Sequence, residues 1–286
     1  MIASQLRRTG ASGGGAGQFD DGLFVLFREY VRQRTGLNYA LSRRRIFENR
    51  IMTRVQARGM PSPEAYYRYL HFGPDRDAEF LQLVSALTNN ETFFFREEAT
   101  LAAIVERAAS RRARRRRFRV LSAGASSGEE LSTLAILIRE RGLDLDEFEL
   151  FGVDIDVQMV ETARAGVYRS KSFRNTDPER MVRFFVPSGD QRKLKPSIHQ
   201  HLDFRWANLV DAATLRFPHP FDAVMIRNVL IYFDQDTVQQ VVKHLHGLLR
   251  DDGVLVTGVS ESLANVPFLF DPHRENGVVI YQKLAG

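Results

Sequence analysis

The chain has 286 residues, 40 Lys and Arg against 35 Asp and Glu, a formal net charge of +5, and no cysteine. A chain of this length with 44% hydrophobic residues can bury a substantial core, which excludes disorder of the whole chain. The lack of cysteine excludes disulfides, thiolate metal sites and a cysteine nucleophile, and no run approaches the ~18 apolar residues of a membrane span.

The N-terminal third is expected to be helical. Residues 1–17 repeat Gly, Ser and Ala without an apolar run, which predicts a flexible leader and not a signal peptide. Residues 18–87 show helical hydrophobic spacing interrupted by Asp, Pro and Gly, so we predict a small all-helical domain. Its four helices are expected to run from Asp20 or Asp21 to Gly36, from Ser42 to Arg58, from the Pro61–Pro63 segment onward, and from Asp77 to Leu87.

Residues 88–286 are predicted to form a doubly wound α/β domain. After a helix from about Glu97 to Ser110, β-rich runs at 118–123, 147–153, 221–226, 254–259 and 278–283 are separated by helical stretches such as 130–141, 157–165 and 237–249. Strands that alternate with helices specify a parallel sheet, and the last strands beside Gly277 predict an antiparallel edge. Residues 182–205 interrupt the alternation and predict a small inserted antiparallel β-subdomain.

Small and acidic residues follow the first two predicted strands. The loop SAGASSGEE keeps only Gly124 and Gly128, and its acidic pair Glu129–Glu130 would repel a pyrophosphate, which favours a ligand without phosphates. A plain tight turn is the alternative. Asp154 ends the second strand, where an acid accepts hydrogen bonds from ribose hydroxyls or caps the following helix. Asp156 is the better candidate for the cap.

Further polar motifs flank the sheet. NLVDA at Asn208–Ala212 and IRNVLIYFD at Ile226–Asp234 each place an Asn after a strand, where its amide can bind a ligand or simply cap the loop. LTNNETFFFRE at Leu87–Glu97 contains three consecutive Phe, which must be covered on several sides. We therefore expect this segment at a domain junction, where pockets form. The alternative is a buried linker in which Arg96 makes an interdomain salt bridge.

Six motifs occur in one order along the chain: TNNETFFFRE, SAGASSGEE, GVDID, NLVD, IRNVLIYFD and GVSESL. In order and spacing the chain resembles the chemotaxis receptor methyltransferase (CheR) family from about Phe19 to Lys283. The resemblance implies an S-adenosylmethionine-dependent O-methyltransferase that converts chemoreceptor glutamates to γ-methyl esters for sensory adaptation and releases S-adenosylhomocysteine. It also implies a helical N-terminal domain, a Rossmann-like class I methyltransferase domain and the inserted β-subdomain.

The resemblance also assigns site residues. Arg96 and Tyr232 would lie near the acceptor carboxylate as the catalytic pair. The implied cofactor-binding residues are Asn90, Thr92, Arg96, Glu130, Asp154, Asn208, Leu209, Arg227 and Asn228. A glutamate near neutral pH is already an ionised nucleophile, so this reaction needs no general base. No metal is expected, because the pairs His199/His201 and His244/His246 have spacings that give no metal site.

Two basic features remain. The N-terminal third holds 13 Arg and no Lys against 8 acids, which accounts for the whole net charge. On the second predicted helix, Arg43, Arg50, Arg54 and Arg58 share one face, and the resemblance implies that this stripe docks on an acidic helical receptor region. A solvated face is the alternative. The run Arg111–Arg119 is expected to be a solvated linker, because no nucleic-acid motif accompanies it.

Partners and location are expected from the same resemblance. We expect a cytoplasmic monomer without membrane insertion or a nucleic-acid partner, whose substrate is the cytoplasmic region of chemoreceptors. Some family members grip a receptor's C-terminal pentapeptide at the β-subdomain, but SGDQRKLKPS is short, so pentapeptide binding is not expected. An RNA-directed methyltransferase and an inactive cofactor-binding scaffold are the two alternative functions.

Overall fold

The protein is described by a computed structural model that covers residues 19–111, 116–266 and 268–284. The chain divides into two compact units: the first extends to Tyr30 and resumes over Tyr39–Leu87, and the second contains Val31–Asn38 and the chain from Thr88 onward. The first unit ends at Leu87, and Val31–Asn38, which the predicted helical domain of residues 18–87 includes, belongs to the second unit. The predicted leader lies outside the described residues.

The first unit is built from helices, as predicted. They are α1 at Asp21–Thr35, whose residues from Val31 onward belong to the second unit, α2 at Arg44–Ala57, α3 at Pro63–Phe72 and α4 at Arg76–Leu87. The Asp20 carboxylate accepts the Leu23 amide at 2.6 Å at the start of α1, and Ser62 caps α3 by accepting the Ala65 amide. Large apolar side chains fill the core, including Phe27, which stacks on Tyr66. Among the described residues, no helix has the length and hydropathy that crossing a bilayer requires.

The second unit is a doubly wound sheet with an added antiparallel edge. Its elements in chain order are α5 Glu98–Ser110, β1 Phe118–Ala123, α6 Glu129–Glu140, β2 Phe148–Asp154, α7 Val157–Ala165, β3 Val167–Tyr168, α8 Pro178–Phe184, β4 Phe185–Ser188, β5 Gln191–Leu194, α9 Pro196–His199, β6 Leu202–Trp206, β7 Phe221–Ile226, α10 Gln235–Leu248, β8 Leu249–Thr257, β9 Phe270–Glu275 and β10 Val278–Lys283. The main sheet has the order β6-β2-β1-β7-β8-β10-β9. Its first five strands are parallel, whereas β10 runs antiparallel to both β8 and β9.

The two faces of the main sheet carry separate cores. Alternate residues of β1 point to opposite faces, so Val120 packs with side chains of α5, α6 and α7, whereas Leu121 packs with side chains of α10. Helices therefore cover both faces, which confirms the predicted α/β class. The strand ends that carry the polar motifs meet at one edge of this sheet, because parallel strands share their carboxyl end.

The inserted β-subdomain differs from its prediction. The small sheet has the order β3-β5-β4. It therefore includes β3, which precedes the predicted segment 182–205. Strand β6, predicted inside the insert, instead pairs in parallel with β2 in the main sheet, with Leu202 opposite Leu150. The prediction was wrong here because short polar strands show no preference for one sheet over another; a long-range pairing decides their place.

The described part of the Arg111–Arg119 run is also different from its prediction. The buried carboxylate of Asp222 receives both terminal nitrogens of Arg116 and the backbone amide of Arg119. Further ion pairs join Arg111 to Asp252 at 3.3 Å, and Arg117 and Arg119 to Glu149 at 3.9 and 3.1 Å. These four arginines bind acids beside the sheet and are not a purely solvated linker. Arg112, Arg114 and Arg115 lie outside the described residues.

Candidate active site

A pocket opens at the carboxyl end of the parallel strands, between the loops that follow β1, β2 and β7. All nine residues predicted to bind the cofactor line it, together with Tyr232. They are Asn90, Thr92, Arg96, Glu130, Asp154, Asn208, Leu209, Arg227 and Asn228. The pocket lies wholly within the second unit, because even its lining residues Thr35 and Leu37 belong to the Val31–Asn38 segment.

Sequence reasoning missed the contribution of Thr35 and Leu37. The sequence signal for this contribution is Gly36, which the helical pattern marks only as the end of a helix. Gly36 has a φ of +77°, and a Cβ there would approach Thr237 and Val210 side-chain carbons at 2.7 and 2.8 Å. A glycine is therefore required where the Val31–Asn38 segment packs closely against the rest of the second unit.

The loop after β1 brings backbone close to the pocket. Gly124 has a φ of +83°, and a Cβ at this position would lie 2.4 Å from a methyl group of Val229. Gly128 has a φ of +91°, and a Cβ there would meet the Phe204 ring at 2.8 Å. Both glycines are thus required by backbone conformation and by packing, and α6 begins directly after them.

Asp154 is the acid at the end of β2. One carboxylate oxygen accepts the Ser126 amide at 2.7 Å and the other accepts the Asp156 amide at 2.8 Å. Burial raises the pKa of Asp154 to about 6, although both amide hydrogen bonds favour the charged form. A carboxylate has more acceptor positions than these two bonds use, so Asp154 can still accept hydrogen bonds from a ligand.

Asp156 has two functions in the structure. One carboxylate oxygen accepts the amides of Gln158 and Met159, so the prediction that Asp156 caps the following helix is confirmed. The other oxygen accepts Thr88 Oγ1 at 2.9 Å and Asn90 Nδ2 at 2.7 Å. This second set of hydrogen bonds fastens the TNNET segment to the sheet edge and positions Asn90 in the pocket wall.

Arg227 and Glu130 form an ion pair in the pocket wall. The Arg227 side chain is 1% exposed, and one of its terminal nitrogens lies 2.6 Å from Glu130 Oε2. The other terminal nitrogen donates to the carbonyl of Arg96 at 2.8 Å, while Ser122 Oγ donates to Glu130 Oε1 at 2.8 Å. The positive charge of Arg227 is therefore balanced within the wall, so Arg227 does not create a phosphate site.

Arg96 and Tyr232, the predicted catalytic pair, both line the pocket. The Arg96 side chain keeps 30% of its surface exposed, and its guanidinium donates to the Glu91 carbonyl at 3.0 Å. The Tyr232 carbonyl accepts the Asn38 amide at 2.8 Å, and its hydroxyl accepts Asn89 Nδ2 at 3.0 Å. Asn89 thus occupies an acceptor position of the phenol, and the phenolic proton can be donated to another group.

Asn228 and Asn208 lie on loops held by side-chain hydrogen bonds. Asn228 has a φ of +60°, and its amide donates to the buried carboxylate of Glu261 at 2.6 Å. Glu261 also accepts the backbone amides of Val229, Leu230 and Gly258 at 2.7–2.9 Å. Asn208 Nδ2 donates to the Arg34 carbonyl at 2.7 Å, at the end of α1. Asn208 Oδ1 also accepts the Val210 amide at 3.3 Å, so the side chain caps its own loop, one of the two alternatives considered for it.

The polar groups of the pocket suit a ligand with hydroxyl and amino groups. Asp154 and Glu130 supply carboxylates, and Ser126 Oγ is a buried atom without a hydrogen-bond partner among the described residues. A buried hydroxyl is costly to leave unpaired, so Ser126 indicates a group that binds there. S-adenosylmethionine, with ribose hydroxyls, an amino acid tail and no phosphate, fits this set of donors and acceptors.

The four arginines predicted to dock a receptor all belong to the first unit but differ in position and contacts. Arg50 and Arg54 lie on α2 and Arg58 follows it, whereas Arg43 ends a 3-10 helix at Leu41–Arg43 and is not on the predicted helix face. Arg54 binds Glu79 through two hydrogen bonds of 3.0 and 2.9 Å, and Arg50 donates to the Leu87 carbonyl at 2.6 Å. Arg58 contacts the carboxylate of Asp75. Arg43 is exposed. Three of the four arginines therefore hold helices of the first unit together.

Comparison with known proteins gives one consistent result. The all-alpha domain of CheR methyltransferase matches residues 23–88, and the CheR methyltransferase SAM-binding domain matches residues 90–276. A chemotaxis protein methyltransferase of Escherichia coli is 32% identical over 86% of this chain and 86% of its own length. Chemotaxis protein methyltransferase 2 of Vibrio cholerae is 30% identical over 88% and 89%, and chemotaxis protein methyltransferase 1 of Pseudomonas aeruginosa is 29% identical over 91% and 97%.

Proposed function

The chain belongs to the CheR methyltransferase family, and we propose that it methylates glutamate side chains of chemoreceptors. The products would be glutamate γ-methyl esters and S-adenosylhomocysteine, formed in the cytoplasm during sensory adaptation. The observation that carries this proposal is the single pocket that contains all the residues carried over from the family motifs. Its relatives named above are chemotaxis protein methyltransferases, which supports the same pathway for this chain.

Different pocket residues would bind different parts of the cofactor. Asp154 would accept hydrogen bonds from the ribose hydroxyls, because its carboxylate retains acceptor capacity. Glu130 would lie beside the positively charged sulfonium and amino group, where its charge is favourable. Asn90, Asn208 and Arg227 complete the wall, and each is held by a hydrogen bond to another part of the second unit. Bound S-adenosylmethionine supplies an electrophilic methyl group.

Arg96 and Tyr232 would position the acceptor. The glutamate carboxylate is already a nucleophile, so the protein needs to align it and to exclude water rather than to remove a proton. Arg96 has a partly exposed guanidinium at the pocket, which can bind one carboxylate oxygen by a charge-assisted hydrogen bond. The Tyr232 hydroxyl accepts from Asn89 and can donate its proton to the other oxygen. Proton transfer by the protein is not required.

The receptor would be bound directly, by a monomer. Among the arginines of the predicted stripe, Arg43 is exposed and is the best candidate for contact with an acidic receptor helix. Arg50, Arg54 and Arg58 would contribute mainly by maintaining the first unit on which such a surface depends. In the β-subdomain, β4 and β5 are joined by the short turn Gly189–Asp190, and we propose that no pentapeptide tether is used.

The decisive experiment is incubation of the full-length protein with methyl-labelled S-adenosylmethionine and purified chemoreceptor cytoplasmic fragments. The expected result is label released by base as methanol, and its loss when the receptor glutamates are replaced by Ala. The Arg96→Ala variant is the negative control. Base-stable label, or label on added RNA in place of the receptor, would contradict the proposal. Binding of labelled cofactor without transfer to any receptor fragment would favour the inactive scaffold.

A further inference from the structure

A basic turn lies between β3 and α8. It comprises Arg169–Arg174, with a short 3-10 helix at Ser170–Phe173 in its centre. Arg169, Lys171 and Arg174 are all exposed, so the turn presents three cationic side chains within six residues. None of the three takes part in the pocket wall described above. This is a separate concentration of positive charge on the second unit, unrelated to the arginine stripe of the first.

The basic turn is rigidly joined to the aromatic motif beside the pocket. The Phe94 amide donates to the Ser172 carbonyl at 2.9 Å, and Ser172 Oγ donates to Glu129 at 2.8 Å. Phe173 stacks on Phe94 with ring centroids 5.2 Å apart and both rings buried. The backbone that carries the three cationic side chains is therefore joined to the segment that lines the pocket.

Arg174 reaches a residue of the pocket itself. Its guanidinium carbon lies 3.7 Å from the centre of the Phe93 ring, and Phe93 lines the pocket. The guanidinium of Arg96 lies 5.7 Å from the same ring. Arg174 also donates to the Glu91 carboxylate at 2.9 Å, and the side chains of both residues are largely exposed, at 41% and 67%. The carboxylate of a pocket-lining residue, Glu91, thus already pairs with Arg174.

We propose that the basic turn binds carboxylates that flank the methylated glutamate in an acidic polypeptide. This inference rests on the proposed function, since it assumes a polypeptide carboxylate as the methyl acceptor. Glu91 would act as an internal carboxylate that exchanges with one from the substrate, because an exposed ion pair is weak and readily replaced. The turn would then select an acidic sequence around the acceptor, whereas Arg96 binds the acceptor itself.

The surroundings of the turn favour a polypeptide over single-stranded RNA. RNA without secondary structure is bound by exposed aromatic faces on which bases stack. In the basic turn and the adjoining motif, Phe94 and Phe173 are buried, and Arg174 covers the ring of Phe93. Cationic groups without an exposed stacking face match carboxylates better than bases.

The test compares two triple variants of the full-length protein. The first carries Arg169→Gln, Lys171→Gln and Arg174→Gln. The matched control carries Arg139→Gln, Arg216→Gln and Lys243→Gln, which removes the same charge from other exposed positions of the second unit. Poly-L-glutamate binding is measured at low and high salt, together with methylation of the receptor fragment and binding of S-adenosylmethionine. Binding to poly-uridylate is measured in parallel.

The basic-turn variant is expected to lose about tenfold in affinity for poly-L-glutamate and to raise the receptor KM similarly, with a weaker salt dependence. Its affinity for S-adenosylmethionine should match that of the wild type. Equal effects in both triple variants, or tighter binding of poly-uridylate than of poly-L-glutamate, would overturn the inference. If the wild type binds poly-L-glutamate but methylates no receptor, the proposed function is wrong. The basic turn would then still be a binding surface for carboxylates.

Two single variants refine the test. Glu91→Gln removes the internal carboxylate and should lower the receptor KM, whereas a merely structural Glu91 would leave KM unchanged or raise it. Arg174→Lys keeps the charge but loses the planar group that stacks on Phe93, so it should retain only part of the binding. Full binding by Arg174→Lys and an unchanged KM for Glu91→Gln would together contradict the exchange.

Discussion

Asp156 Oδ2 accepts a 2.7 Å hydrogen bond from Asn90 Nδ2 across a separation of 66 residues. The same carboxylate caps α7 through its other oxygen, so one side chain fixes both the helix and the TNNET segment. Two of the sequence motifs therefore depend on each other physically. A change at Asp156 should affect folding through the cap and cofactor binding through Asn90.

We expect Asp156→Ala to destabilise the protein by about 1–3 kcal/mol, because it removes a helix cap and leaves polar partners unpaired. It should also weaken S-adenosylmethionine binding, measured by calorimetry on the folded variant. Asp177 provides a control, since it caps α8 by accepting the Glu179 amide, whereas Asp156 also bonds the pocket residue Asn90. If Asp177→Ala weakens cofactor binding as much as Asp156→Ala, the link through Asn90 is not important.

Arg96→Ala is expected to lower the rate of methyl transfer far more than tenfold while the protein remains folded, because the acceptor carboxylate loses its charged partner. Arg96→Lys should recover only part of the rate, since ammonium lacks the planar fork. Initial rates with saturating cofactor measure the effect, and circular dichroism reports the fold. Near-normal turnover by Arg96→Ala would show that Arg96 does not position the acceptor.

We expect Asp154 to give cofactor binding a pH dependence. Its pKa of about 6 in the folded protein exceeds the ordinary value of 3.8 because the carboxyl group is buried. The proposed hydrogen bonds from the ribose hydroxyls need the ionised carboxylate, so affinity for S-adenosylmethionine should fall as pH decreases through about 6. Calorimetric titrations at a series of pH values test this, and Asp154→Asn should abolish the change. If the Asp154→Asn variant keeps the pH profile of the wild type, another group causes the pH dependence of cofactor binding.

The same raised pKa predicts how stability changes with pH. Between pH of about 4 and 6 the folded protein holds a proton on Asp154 that the unfolded chain releases, so this group favours folding at low pH. That contribution is lost as pH rises through about 6, and a difference of two units corresponds to about 3 kcal/mol. Urea unfolding of wild type and Asp154→Asn should show a stability difference that changes over this interval. A constant difference would contradict the raised pKa.

Sequence patterns predicted much of this protein because the relevant signals were local. The bounds of β1, β7, β10 and α7 agree with their predictions, since continuous apolar runs and a capping Asp define them within a few residues. The residues that the motifs predict to bind the cofactor line one pocket, and their individual roles stay predictions. The sheet membership of β6 was not predicted, because its partner β2 is remote in sequence and short polar strands carry no pairing signal.

Ion pairs were the second feature that the sequence did not reveal. Helical spacing predicts one face for Arg43, Arg50, Arg54 and Arg58, but spacing within one helix contains no information about acids on another. Glu79 on α4 is 4% exposed and receives Arg54, and the Leu87 carbonyl receives Arg50. The predicted docking stripe therefore combines structural arginines with the exposed Arg43.

The variants Arg54→Ala and Arg43→Ala should distinguish a contribution to folding stability from a contribution to receptor docking. Arg54→Ala leaves the buried carboxylate of Glu79 without its main partner, so we expect a loss of about 3 kcal/mol in the free energy of unfolding. Arg43 is exposed, and Arg43→Ala should leave stability unchanged while raising the receptor KM and weakening its dependence on salt. Urea unfolding and receptor methylation at two salt concentrations, performed on both variants, distinguish these outcomes.

If Arg43→Ala changes neither the receptor KM nor its salt dependence, the stripe is not a docking surface, because Arg43 is its least constrained member. If Arg54→Ala raises KM without destabilising the protein, Arg54 contacts the receptor and its bond to Glu79 is expendable.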